Sequence, residues 1–256
     1  MSKPICSILH TSDIHLDNEI GYDGDESLAQ LGLMHVVDTA IDLDVNLFLL
    51  AGDLFDHNRV NEPCLEFASA QLSRLRCPVV MITGNHDCLA EYSIYGSYDP
   101  TNAGNHIHFI TETEGRVIEF ESLGVRVWGK GIVDHHPENK PLEDVPRSDF
   151  DGWYIGLAHG YYVARGGDSY SSLITPDEIA GSRLDYLALG HVHVFETMFH
   201  GETHAAYPGS PNGAQGIRER TAAHILLDPK TGVSINRVAL SGESEKNGAL
   251  DHPLAP

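Results

Sequence analysis

The first third of the chain alternates between two patterns of apolar and polar residues. Short apolar and β-branched runs are typical of buried strands, and between them apolar residues recur at the spacing of one helix face. The patterns predict strands over 5–11, 45–51 and 78–83 and helices over 26–43 and 63–75. Because strands and helices alternate, we expect the strands to pair in parallel through right-handed helical crossovers.

Beyond residue 105 the chain changes to closely spaced strand patterns with few helices between them. The predicted strands are 106–111, 116–121, 125–129, 153–159, 184–190, 194–200, 204–207, 222–227 and 233–240. We expect a second sheet that packs face to face on the first, with helices outside, in an α/β fold. The segments 88–104, 134–150 and 160–176 are long, polar and rich in Gly, Pro, Tyr and Ser, which predicts loops.

The length of 256 residues fits one large domain. We expect this domain to span 1–240 and a polar tail to follow over 241–256. No apolar run reaches the roughly 18 residues that a membrane span needs, so we expect no membrane partner. The four cysteines are scattered without a C-x-x-C pair, which favours a reducing compartment and hence a cytoplasmic location.

The formal charge of −21 limits the partners that the surface can attract. Sequence-independent binding of nucleic acid needs Lys and Arg, because these residues displace counterions from phosphates. A surface this acidic argues against a long basic track for nucleic acid. It fits equally well a highly soluble protein without any binding role.

Side chains that can bind metals follow the predicted strands that have a buried apolar body. In chain order they are Asp13, His15, Asp53, Asn85, His86, Asp87, His159, His191 and His193. The carboxyl ends of strands in an open α/β sheet line one crevice, so we expect these side chains to converge. In Asp13-x-His15 and His191-x-His193, alternate positions of an extended chain would point the same way. Oxygen and nitrogen donors without cysteine suit Mn, Fe, Zn, Ni or Co.

A glycine directly precedes three of these donors, at Gly52, Gly84 and Gly190. Glycine there permits a sharp turn off the strand and a close approach of the backbone to an ion. A single D-x-H or G-D occurs by chance in turns, whereas G-N-H-D and G-H-x-H after buried strands are much rarer. Their occurrence in one chain favours a metal site over coincidence.

The motifs DIHLD, GDLFD, GNHD, AHG and GHVH, in that order, resemble the signature of the calcineurin-like metallophosphoesterases. Within that superfamily GDLFD, LDYLALGHVH and YPGSP (207–211) are most similar to the SbcD-type DNA repair exonucleases. The similarity extends over residues 5–240. It implies a four-layer αββα sandwich of two mixed sheets flanked by helices.

The resemblance also implies a role for each donor, around two divalent cations, manganese foremost, with iron, zinc, nickel or cobalt as alternatives. The first cation would be held by Asp13, His15, Asp53 and His193. The second would be held by Asp53, Asn85, His159 and His191, with Asp53 bridging. A hydroxide between the cations would attack phosphorus. His86 would stabilise or protonate the leaving oxygen, and Asp87 would orient the His86 ring.

Other residues near the motifs have two readings. Asn58 and Arg59 follow GDLFD, where they would touch a phosphate or form a solvated turn. Tyr161 follows AHG and would stack on a nucleobase or leaving group, or pack at the edge of the pocket. The cluster after GNHD would form a pocket wall or anchor a long loop; it comprises Tyr92, Tyr95 and Tyr98.

The expected function is hydrolysis of phosphodiester bonds, on nucleic-acid ends or nucleotides. The alternative is a small-molecule phosphodiesterase or phosphatase, and a remote alternative is a non-catalytic interaction scaffold. The repair nucleases carry a C-terminal capping domain that this sequence does not extend far enough to include, which with the acidic charge argues against processive work on duplex DNA. The resemblance also suggests a partner ATPase.

Overall fold

The computed structural model describes residues 3–19, 26–164, 171–213 and 219–240. The strands are β1 (Cys6–Thr11), β2 (Leu47–Ala51), β3 (Val79–Ile82), β4 (Ile107–Ile110), β5 (Arg116–Phe120), β6 (Val125–Gly129), β7 (Trp153–His159), β8 (Tyr161–Tyr162), β9 (Leu173–Ile174), β10 (Tyr186–Gly190), β11 (Phe195–His200), β12 (Thr203–Pro208), β13 (Thr221–Asp228) and β14 (Gly232–Ala239). The α-helices are α1 (Leu28–Asp42), α2 (Glu62–Leu72) and α3 (Pro176–Ser182). The predicted tail, 241–256, lies outside the described residues.

The first sheet contains the predicted strand–helix alternation. Its order is β14-β13-β1-β2-β3-β4, with β1 to β4 parallel and with β13 and β14 added antiparallel at one edge. The parallel strands end together, since Thr11 pairs with Leu50 and Ala51 pairs with Ile82. The segments that follow β1, β2 and β3 therefore leave the same edge of this sheet.

The second sheet has the order β11-β12-β10-β7-β6-β5. Its four central strands are parallel, and β11 and β5 pair antiparallel at the two edges. Gly190, at the end of β10, pairs with His159, at the end of β7. These two strand ends thus carry their following residues to one edge of the second sheet.

Three apolar layers separate the sheets and helices. Between the sheets, buried Ile8 and Val80 lie in one cluster with Ile155 and Ala188. The outer face of the first sheet buries α1 and α2, and the outer face of the second sheet packs against α3 and the segment around Leu142. Each fully buried Leu- or Ile-sized side chain contributes about 1.5–3 kcal/mol to folding. The four-layer αββα sandwich of two mixed sheets is confirmed.

Helix starts follow from local capping signals. Ser27 caps α1 and forms a reciprocal capping box with Gln30. Asn61 caps α2 by accepting a hydrogen bond from the backbone N–H of Cys64. These caps begin the two helices within two residues of the predicted positions.

The predicted loops contain regular structure that the sequence patterns did not indicate. Segment 88–104 includes 3-10 helices at Ile94–Gly96 and Pro100–Ala103, and segment 160–176 includes β8 and β9. Helix α3 follows with a capping box between Thr175 and Glu178. At seven residues α3 is too short to show a helical period, although its capping box was a readable signal.

Among the described residues, no helix combines the length and the apolar character that crossing a bilayer would need. The cytoplasmic location stays a prediction.

Candidate metal centre

The predicted donors lie where parallel strands of both sheets end. Asp13 and His15 follow β1, Asp53 follows β2, and Asn85 follows β3. From the second sheet, His159 is the last residue of β7, and His191 and His193 follow β10. Both sheets thus contribute donors to one place, between their carboxyl edges.

The backbone at four of these donors has a positive φ angle: 55° at Asp13, 50° at His15, 54° at Asp53 and 107° at His191. The backbone is therefore not extended at Asp13, His15 or His191 as predicted, although Asp13 and His15 do present their donors together, in one group with His193. Such angles cost roughly 1–3 kcal/mol each for residues other than glycine and persist where other contacts enforce them. Here, the backbone N–H of Asp13 donates to Gly52 O at 3.1 Å, and that of His15 donates to Asp53 O at 3.0 Å.

The three glycines before the donors serve two different needs. Gly52 has a φ of +90°, which supports the predicted sharp turn. Gly84 and Gly190 have no such angle, but a Cβ at Gly84 would overlap Asp53 Oδ1 and one at Gly190 would overlap Ala51 O. For these two, the absence of a side chain permits the close approach of neighbouring strand ends.

Asp13, His15 and His193 form the first donor group. The Nε2 atoms of His15 and His193 lie 3.1 Å apart, and Asp13 Oδ1 lies 3.5 Å from His193 Nε2. The side chain of Asp13 is fully buried. A carboxylate and two imidazoles that face one another in this way are suitable ligands for a divalent transition metal.

Asn85, His159 and His191 form the second donor group. Asn85 Oδ1 lies 2.9 Å from His159 Nε2 and 2.9 Å from His191 Nδ1. His159 Nδ1 donates to Ala51 O at 2.8 Å, which directs its Nε2 towards the other donors. A histidine whose second nitrogen is held by a backbone carbonyl has the arrangement typical of a metal ligand.

Asp53 lies between the two donor groups. Its Oδ2 is 3.8 Å from His15 Nε2 and 3.4 Å from His159 Nε2. Its Oδ1 accepts the backbone N–H of His86 at 2.9 Å. One carboxylate therefore faces ligand atoms of both groups.

Imidazoles are the partners of these buried carboxylates, since no Lys or Arg of the described residues forms an ion pair with Asp13 or Asp53. Burial opposes ionisation of Asp53, but the neighbouring His159 outweighs it and holds the pKa of Asp53 well below its usual range. Burial alone would lower the pKa of His159, whereas the Asp53 carboxylate raises it to about 9. Divalent cations can replace these protons, so the donor set fits metal binding.

His86 is held by a residue to which the sequence patterns assigned no role. His86 Nδ1 donates to the backbone O of Asp56 at 2.8 Å and lies 3.4 Å from Asp56 Oδ1. Asp56 Oδ1 also lies 3.2 Å from His15 Nδ1. Asp56 is the last residue of GDLFD, so the motif contained it without indicating its partner.

The prediction that Asp87 orients the His86 ring is wrong. Asp87 is fully buried, and its oxygens accept hydrogen bonds from four other donors. These are the backbone N–H groups of Gly84, Leu54 and Phe55 and the hydroxyl of Tyr95. Asp87 thus ties the loop after β2 to the loop after β3 and holds both at the centre.

Asn58 and Arg59 were each predicted either to touch a phosphate or to form a solvated turn. Asn58 Oδ1 accepts the backbone N–H of Ile94 at 2.9 Å, and its Nδ2 donates to Cys88 O at 3.4 Å, so this amide braces two loops. Arg59 is exposed in a turn where its backbone O accepts a hydrogen bond from Asn18. These contacts favour the turn reading over a phosphate contact.

The tyrosines divide between the pocket edge and the interior. The Tyr161 ring is 44% exposed and stands perpendicular to the His191 ring at 6.1 Å, which places it at the rim of the centre. Tyr98 is buried and Tyr95 is half-buried, and both pack against Phe55, so they anchor the loop. Tyr92 is exposed.

Two more polar residues reach the second donor group from predicted loops. Ser171 Oγ lies 3.0 Å from His191 Nε2, and His135 Nε2 lies 2.9 Å from the same hydroxyl. No spacing pattern marked them, because neither follows a strand in a recognisable motif.

The sequence matches the calcineurin-like phosphoesterase family over residues 6–195. It is 27% identical over 228 residues to the uncharacterized metallophosphoesterase YhaO of Bacillus subtilis, covering 83% of this chain and 54% of that protein. It is 30% identical over 249 residues to the SbcD subunit of nuclease SbcCD from the same organism, covering 80% of this chain and 61% of that protein. The chain therefore spans less than two thirds of the length of these relatives.

A solved structure shares the fold. TT1561 of Thermus thermophilus superposes with a TM-score of 0.57 at 12% sequence identity, covering 93% of this chain and all of that one. The family match covers most of the chain, and the described donors form groups that suit divalent cations. The chain belongs to the calcineurin-like phosphoesterases, metal-dependent phosphoric ester hydrolases that generally bind two divalent ions.

Proposed function

We propose that this protein hydrolyses phosphodiester bonds, at nucleic-acid ends or in nucleotides. The observation that carries the proposal is the position of Asp53, whose Oδ2 faces both His15 and His159. A carboxylate that faces both ligand groups would allow two cations to be held close together, as in two-cation sites for phosphoryl chemistry. The name of the relative in nuclease SbcCD supports phosphodiesters of nucleic acid as the substrate class.

In this proposal the ligands divide between two cations that share Asp53. The first donor group would hold one cation together with Asp53, and the second donor group would hold the other together with Asp53. The distances within each group support this division. When bound, the cations neutralise charge on the phosphate oxygens and lower the pKa of a nearby water molecule. Manganese is the proposed metal, with iron, zinc, nickel or cobalt as alternatives, since hard to borderline oxygen and nitrogen donors suit all of them.

His86 acts on the leaving oxygen in this proposal. Its side chain is 42% exposed beside the first donor group, where a substrate can reach it. Because Asp56 O accepts the Nδ1 proton, the ring is fixed in orientation and presents its other nitrogen away from Asp56. A positioned acid of this kind accelerates such steps by about 10²–10⁴-fold.

A second candidate, hydrolysis of small-molecule phosphodiesters or phosphomonoesters, is favoured by the net charge of −21. So acidic a surface repels a long polyanion but hinders a small nucleotide far less. The partner ATPase that the resemblance suggests stays a prediction, which co-purification of the tagged full-length protein would test.

The test is a substrate panel with the manganese-loaded protein. The panel contains an end-labelled single-stranded oligonucleotide, cyclic nucleotides, bis-p-nitrophenyl phosphate and p-nitrophenyl phosphate. We expect shortening of the oligonucleotide and faster cleavage of the diester than of the monoester. Preference for the monoester would support the second candidate, and bound manganese without any turnover would support the scaffold.

His86→Asn is the matched control for this panel. We expect its turnover to fall about 10²–10⁴-fold while its manganese content stays that of the unsubstituted protein. His86 also lies within reach of a common ion with His15 and Asp53. Loss of manganese from His86→Asn would therefore make His86 a ligand and contradict its role at the leaving oxygen.

A further inference from the structure

A chain of hydrogen-bonding side chains leads outward from the second donor group. It runs from Asn85 Oδ1 to His191 Nδ1 at 2.9 Å, from His191 Nε2 to Ser171 Oγ at 3.0 Å, and from Ser171 Oγ to His135 Nε2 at 2.9 Å. The residues come from separate parts of the chain. His135 follows β6, Ser171 precedes β9 and His191 follows β10.

If His191 binds a cation, the donor and the acceptor of each hydrogen bond in this series of side chains are fixed. A neutral imidazole carries one proton, so Nδ1 can bind a metal only when the proton is on Nε2. The Nε2–H group then donates a hydrogen bond to Ser171 Oγ. The Ser171 hydroxyl can in turn donate a hydrogen bond to His135 Nε2, because a hydroxyl both donates and accepts.

His135 also packs directly against His191. Their ring centroids are 5.0 Å apart with planes inclined by 42°. The backbone of His191 has a φ of 107°, outside the extended conformation that β10 would otherwise impose on its side-chain direction. The ring is in contact with two residues from other segments, His135 and Ser171.

We propose that His135 is a positioning residue that acts through Ser171 to hold His191 with Nδ1 turned towards the second cation; this inference rests on the ligand assignment in the proposed function. His135 does not contact the substrate in this proposal. Partners of metal-binding histidines fix the tautomer and the ring orientation, and their loss typically lowers metal affinity about 10–100-fold.

The experiment measures manganese binding rather than activity alone. His135→Ala and Ser171→Ala are compared with the unsubstituted protein by equilibrium dialysis with elemental analysis and by electron paramagnetic resonance. We expect one of two manganese ions to bind about 10–100-fold more weakly and the other to be unchanged. At limiting manganese, the spectrum of a coupled pair should give way to that of an isolated ion.

Two matched variants separate positioning from a general effect on folding. His136→Ala removes the adjacent histidine, whose exposed side chain faces Glu138, and should bind both ions normally. His135→Gln keeps an acceptor near the position of Nε2 and should recover most of the lost affinity. The midpoint of thermal unfolding without metal should be the same for His135→Ala and His136→Ala.

The outcomes distinguish this inference from the proposed substrate. If the unsubstituted protein binds two ions but cleaves no phosphodiester, the substrate class is wrong and the positioning role is still measured by ion binding. If it binds a single ion, both the ligand assignment and this inference are overturned. If His135→Ala and Ser171→Ala bind both ions within twofold of the unsubstituted protein, the positioning role is overturned.

Discussion

The two donor groups of the metal centre are held in different ways. In the first group, Asp13 and His15 owe their positions to backbone hydrogen bonds with the loop after β2, and Ser210 Oγ donates to Asp13 O at 2.8 Å. In the second group, His159 is also held by a backbone atom, Ala51 O, but side chains supply further contacts, since Asn85 meets both imidazoles and His191 contacts Ser171.

The groups also differ in their access to solvent. The His193 side chain of the first group is 38% exposed, whereas that of His159 in the second is fully buried. The exposed His86 ring lies 4.6 Å from His15 and so stands on the side of the first group. In the proposed function, a substrate would therefore approach over His193 and His86, while Asp13 and His159 lie enclosed in the centre.

The largest expected effect comes from Asp53→Asn, which removes the residue that both groups share. A neutral amide cannot offset two cations, so both manganese ions should be lost, with a fall in affinity well beyond the ~10–100-fold typical of a lost outer partner. Elemental analysis after dialysis and the turnover of bis-p-nitrophenyl phosphate measure this. Retention of one tightly bound ion would show that only one group depends on Asp53.

A change of pH should have an intermediate effect on manganese affinity. The effect should come from His159 and not from His191, because their pKa values are shifted in opposite directions. In the metal-free protein, the Asp53 carboxylate outweighs burial and raises the pKa of His159 to about 9, while burial lowers the pKa of His191 to about 4. Below about pH 9, a cation must expel the proton of His159. Manganese affinity should therefore rise with pH, by up to tenfold per unit for each proton released.

The stability of the metal-free protein should move in the opposite direction. The raised pKa of His159 stabilises the folded state fully below the unfolded value near 6.5, and this contribution is lost as pH rises through about 9. Calorimetric titration in buffers of different ionisation enthalpy counts the released protons, and thermal unfolding without metal follows the stability. Affinity that does not change between pH 6 and 8 would contradict the assignment of His159.

The smallest expected effect comes from Tyr95→Phe. This change affects Asp87, which connects the loop after β2 to the loop after β3. It removes the hydroxyl that donates to Asp87 Oδ2 at 2.7 Å and leaves the three backbone donors in place. The free energy of unfolding, measured in urea, should fall by about 1–2 kcal/mol with little change in manganese binding. The exposed Tyr92→Phe is the control, and equal stability of the two variants would mean that the buried hydroxyl contributes nothing.

Much of the fold was predictable because its signals are local. Short apolar runs predicted β1, β2 and β3, helical spacing predicted α1 and α2, and the motif order indicated the family. The short helix α3 was missed, because seven residues are too few for a periodic pattern. The order of the strands within each sheet depends on pairings between distant segments, which no local pattern contains.

For the metal centre, the order of residues specifies which donor types lie at the end of which strand. The partners of those donors depend on how the chain folds. Asp87 and Asp56 both stand in motifs, yet packing buries Asp87 among four donors and leaves Asp56 beside His86. His135 and Ser171 carry no motif and come to His191 through the folding of two long loops. The reason is physical: residue type sets what an atom can bind, but hydrogen bonds act over about 3 Å, so which atoms meet depends on how separate segments pack.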